Sequence, residues 1–173
     1  MAKRINWQEN DVLNIKISDN LFTVAQMLKE PYLMFFQISN MDGQWKELHL
    51  SEIPNLFCIP VAREFLTKRV ENKVKSDNVA DSSIQIPKFW IIPHLNFDGG
   101  FLYKGGKLIE LDPKVGETNS LVLKNNLLID IDKEIIEKCE LTNLWGDEDL
   151  INRLVVYFTK GINEDPLKKK VFR

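Results

Sequence analysis

Three consecutive acids, Asp147, Glu148 and Asp149, stand behind a Trp-Gly pair in the stretch NLWGDEDLINRLVVYFTKG. Carboxylates at that density could hold a cation or share a proton. On a helix, however, neighbouring side chains point about 100° apart, so three in a row cannot converge on one ion. A helix start accounts for them better. Leu150, Leu154 and Phe158 fall on one stripe, widened by Ile151, Val155 and Tyr157. Asp147 then serves as N-cap or first-turn acid, Arg153 is placed to pair with Asp149, and Lys160 with Gly161 closes the helix.

The remaining candidates for chemistry are few. Nucleophilic catalysis needs a base beside the nucleophile, and His49 and His94 are the only histidines. Cys58 sits in an apolar strand and Cys139 on an apolar helix face, surroundings that disfavour a thiolate. Two isolated histidines, with no Cys or His at ligand spacing, do not form a zinc site. An acid–base pair of His94 with Asp98 has no orienting partner. Gly106-Lys107 resembles the end of a phosphate-binding loop, but Phe101 stands where its first glycine belongs and Leu108 where Ser or Thr would hold magnesium. The Gly99-Gly100 and Gly105-Gly106 pairs read instead as hairpin turns. No metal or cofactor is implied, and the chain reads as a non-enzyme.

The elements that must position these residues follow from periodicity. In VLNIKIS, Leu13, Ile15 and Ile17 alternate with Val12, Asn14 and Lys16, and LFTVAQML and YLMFFQIS follow after turn signals. These three strands predict an antiparallel sheet or small β-barrel, with a further hairpin loop centred on Asp42-Gly43. NLFCIPV predicts a buried strand, and after Pro60 a helix carries Val61, Phe65 and Leu66 on one face. Residues 71–83 contain no Leu, Phe or Ile and read as an exposed, mobile loop. Pro87 and Pro93 restrict the strand around FWIIPHL to a sheet edge. SLVLKNNLLIDI predicts a strand and DKEIIEKCEL a helix. The fold class is therefore α+β, with β-hairpins in the middle and helices mainly C-terminal.

Composition narrows the function classes. The chain has 173 residues, 44% of them apolar, which fits one domain over residues 1–173 with a core that needs neither disulfide nor metal. Its net charge is −2, from 23 basic and 25 acidic residues in mixed order, which argues against a nucleic-acid-binding patch. Two cysteines fit a reducing cytoplasm. The N-terminus lacks the apolar core of a signal peptide, and no apolar run reaches the length of a membrane span.

The order of features resembles the immunity protein 26 family of bacterial toxin and immunity loci. ENDVLNIKISDNLFTVAQML resembles its opening pair of strands, with Asn10 where Gly is common, PYLMFFQIS its third strand, NLFCIPV its central strand and IPKFW its Pro-Lys-Phe element. Trp145, Asp147, Glu148, Arg153, Leu154, Phe158 and Gly161 resemble its closing element, while residues 71–83 depart from its shorter, Trp-containing link. The resemblance implies a cytoplasmic, non-enzymatic protein that binds and neutralises the C-terminal domain of a cognate toxin, with no cofactor, membrane or small-molecule substrate. Because many delivered toxins are basic nucleases, an acidic surface is expected to meet the partner. Its expected contacts are Asp42, Asp98, Glu110 and Asp112 around the hairpins, with Trp90 and Tyr103 as aromatic anchors. The rival expectation is a small β-barrel that binds single-stranded nucleic acid by stacking on exposed aromatics.

Overall fold

The alternation in VLNIKIS builds the first strand of an open antiparallel sheet in a computed structural model that describes residues 5–80, 84–95 and 100–172, with the backbone alone at residues 76, 80 and 101–103. The described strands, in chain order, are β1 (Val12–Ser18), β2 (Leu21–Met27), β3 (Tyr32–Asn40), β4 (Leu48–His49), β5 (Asn55–Pro60), β6 (Val70–Lys73), β7 (Val79–Ala80), β8 (Phe89–Leu95), β9 (Phe101–Glu110) and β10 (Leu121–Lys124). The helices are α1 (Arg63–Arg69), α2 (Lys133–Lys138), α3 (Asp147–Lys160) and α4 (Pro166–Val171). The class is α+β, as the sequence predicts. Contacts gather the chain into two compact units, Met1–Ile86 with Leu144–Glu164 and Pro87–Asn143 with Asp165–Arg173.

The first unit holds a five-stranded sheet in the order β5-β3-β2-β1-β6. It does not close into a barrel. Leu13, Ile15 and Ile17 of β1 face a core shared with Phe35, Phe57, Phe65, Leu150 and Leu154, so α1 and α3 cover the same apolar side. Asn14, on the opposite side of β1, is also buried. Its amide donates to Gly43 O at 3.1 Å and to Asn72 Oδ1 at 3.0 Å, and its Oδ1 accepts from Trp45 Nε1 at 2.9 Å. A buried amide with these partners costs little, and it pins the 40–45 segment onto the sheet.

That segment corrects one expectation. Asp42-Gly43 forms a turn, with Gly43 N donating to Asn40 Oδ1 and Gln44 N to Asp42 Oδ1, but it is not the tip of a hairpin. β4 pairs in parallel with β7 instead of folding back on β3. Gly43 has φ +67°, and a Cβ there would lie 2.9 Å from Phe22 Cδ1, so the turn packs inward. The stretch expected as a loop at 71–83 begins as strand: Asn72 and Lys73 pair with β1, with their side chains exposed.

The second unit is built on a three-stranded sheet, β10-β9-β8, with β8 at an edge as its prolines predict. Ile91, Leu127, Ile136, Leu141, Val171 and Phe172 form its core. Asp165 caps α4, accepting from Leu167 N and Lys168 N. Gly105-Gly106 is not a hairpin turn but lies within β9, where Gly106 pairs with Pro93. The glycines are there for close approach. A Cβ on Gly106 would sit 2.6 Å from Ile92 O, and one on Gly105, whose φ is +99°, 2.9 Å from Leu127 O. Backbone atoms cannot yield as a side chain would. Gly106→Ala is therefore expected to destabilise the protein by about 1 to 3 kcal/mol, as overpacking does. Urea unfolding of the variant checks this, and an unchanged midpoint would refute it.

Candidate partner-binding cleft

The acids that open the closing helix divide into one that turns inward and two that do not. Gly146, with extended backbone, is the N-cap of α3 and supplies no side-chain bond, so Asp147 occupies the first turn rather than the cap. The Asp147 side chain has another use. Its two oxygens accept from Arg69 Nε at 2.6 Å and Arg69 Nη2 at 2.8 Å, a bidentate pair joining α3 to the end of α1. Arg69's hydrogen bond holds the Asp147 carboxyl below the usual carboxylate range, and the nearby charges of Arg69 and Lys68 push the same way. Lys68 lies 3.9 Å from Asp147 and binds Glu64 one helical turn earlier.

Around this pair α1 and α3 leave an open cleft of about 600 Å³, lined by Glu64, Lys68, Arg69, Gly146 and Asp147 to Asp149, with Ile151 and Asn152. Four carboxylates against two cations give the lining an excess of two negative charges. Glu148 and Asp149 are exposed and, among the described residues, have no cationic partner. Arg153 does not pair with Asp149 as expected. Position 153 falls beside Leu150 and Leu154 on the buried stripe, so its side chain goes inward. The residue is 4% exposed, and its guanidinium lies 4.0 Å from the centre of the Phe57 ring and 5.1 Å from that of Trp145. Its Nε donates to Asn163 Oδ1 at 3.0 Å. The C-terminal end behaves as predicted, with Gly161 left-handed at φ +69° and Lys160 in the last turn.

The residues expected to meet a partner are scattered. Asp42 is exposed in the first unit, where its Oδ1 shapes the 40–44 turn. In the second unit Glu110 pairs with Lys88 at 3.0 Å, and Asp112 accepts from Lys114 N at 2.9 Å. Trp90 has no exposed surface, and its Nε1 donates to Pro87 O, so the ring belongs to the interior and presents nothing to a partner. Asp98 and the side chain of Tyr103 lie outside the described residues. His49 lies 3.3 Å from Glu47, and His94 lies 3.2 Å from Asn126 Oδ1. Burial pushes the Cys139 thiol up, in keeping with the inert thiol expected there. Among the described residues no helix is long and apolar enough to cross a membrane. Glu64, Lys68 and Arg69 line the cleft without having been singled out from sequence. Their only local signal is the Glu64–Lys68 spacing, since the partner acid lies 78 residues away.

With an open antiparallel sheet, a second small sheet and an acid-lined cleft, the molecule is an α+β protein. A family model described as a domain of unknown function, DUF8309, matches residues 2–173, and the chain belongs to that family. No curated protein and no solved structure matches the chain.

Two outcomes test this construction. The Asp147 carboxyl titrates lower folded than unfolded, so the stability it contributes is complete above its unfolded value and is lost as pH falls through its folded one. The stability gap between wild type and Asp147→Asn should hold constant down to about pH 5 and narrow below about pH 4. Denaturant unfolding over a pH series reads this, and a gap constant to about pH 2 would rule out the ionised pair as its source. Arg153→Ala removes a buried stem and its stacking, and should cost about 3 kcal/mol by the same unfolding assay, with Arg153→Met retaining about half. Equal losses in the two variants would assign the whole effect to the cation.

Proposed function

We propose that this protein is an immunity protein that binds a cognate bacterial toxin domain in the cytoplasm and neutralises it by non-catalytic complex formation. The observation that carries the reading is the acid-lined cleft between α1 and α3, in which Glu148 and Asp149 are left available while Asp147 is engaged by Arg69. A net negative concave surface is complementary to Lys and Arg side chains, which basic nuclease domains offer in number, and such complementarity speeds encounter and sets orientation. The resemblance to the immunity protein 26 family supports the same reading. Its closing element supplies both the helix that frames the cleft and the acids that line it.

The acidic contacts proposed from sequence move accordingly. Glu148 and Asp149 take the place of a surface assembled from Asp42, Glu110 and Asp112. Co-expression with the toxin domain encoded beside this chain is expected to restore growth, and cell death despite abundant protein would refute the pairing. Glu148→Gln combined with Asp149→Asn leaves α3 its cap and its core stripe. That double variant should weaken toxin binding by about tenfold or more at low salt, mainly through a slower association rate. Calorimetry or surface-binding kinetics with the purified toxin domain measures this, and unchanged association would move the docking surface elsewhere.

A further inference from the structure

We draw no further inference here: the strongest candidate, the exposed apolar edge of the second unit's sheet, where Leu121, Val122 and Leu123 of β10 lead on to Leu128, Ile129 and Ile131, carries nothing because nothing in the structure shows what covers it.

Discussion

The first unit depends on a charged side chain placed where charge is costly. Taking a guanidinium out of water carries a penalty of several kcal/mol, which must be offset by hydrogen bonds or favourable electrostatics. Arg153 meets that condition with the ring of Phe57 from β5, the ring of Trp145 ahead of α3, and the Asn163 carboxamide just after α3. The three contacts tie the beginning and end of α3 to one strand. Trp145 extends the tie through its backbone, donating to Pro60 O and accepting from Ala62 N, each at 2.9 Å. The end of β5, the entry to α1 and the entry to α3 are thereby fixed relative to one another.

The electrostatics of the cleft follow from this fixation. Once α3 begins beside the end of α1, Arg69 and Asp147 are within reach of each other, although neither would find the other from local sequence. The helix start then divides its acids. Asp147 is spent on structure, while Glu148 and Asp149 remain at the surface near the positive end of the helix dipole, which stabilises their charge without removing it. Anionic character at this cleft is thus a by-product of good helix construction.

Legibility in the sequence tracked the range of the interaction. β1, β2, β3, β5 and the stripe of α3 were readable because strict alternation and helical spacing are local patterns. The residue type of Arg153 suggests solvent and an i, i+4 partner, whereas its position between Leu150 and Leu154 puts it on the apolar face. Long-range packing, not the charge of the residue, decided its direction. The Gly105-Gly106 pair misleads for a similar reason. Paired glycines usually mark a turn, and only the approach of Leu127 O to Gly105 and of Ile92 O to Gly106 shows that here they make room for backbone. Trp90 reads as an anchor from its aromatic type, yet burial of a ring is set by tertiary contacts that no spacing reveals. β6 carries exposed polar side chains on a strand edge, which gives no apolar period to detect.

Neither compact unit is continuous in the chain, and this shapes how the protein comes into being. A chain made from its N-terminus presents the five-stranded sheet and α1 long before α3, so Leu13, Ile15, Phe35 and Phe57 lack one of their two covering helices while all of residues 87–143 are produced. The second unit waits in turn for Val171 and Phe172. Exposed apolar surface on a nascent chain invites chaperones or association with neighbouring chains. Each core is therefore completed only by residues made after position 143, and until then part of its apolar surface is uncovered.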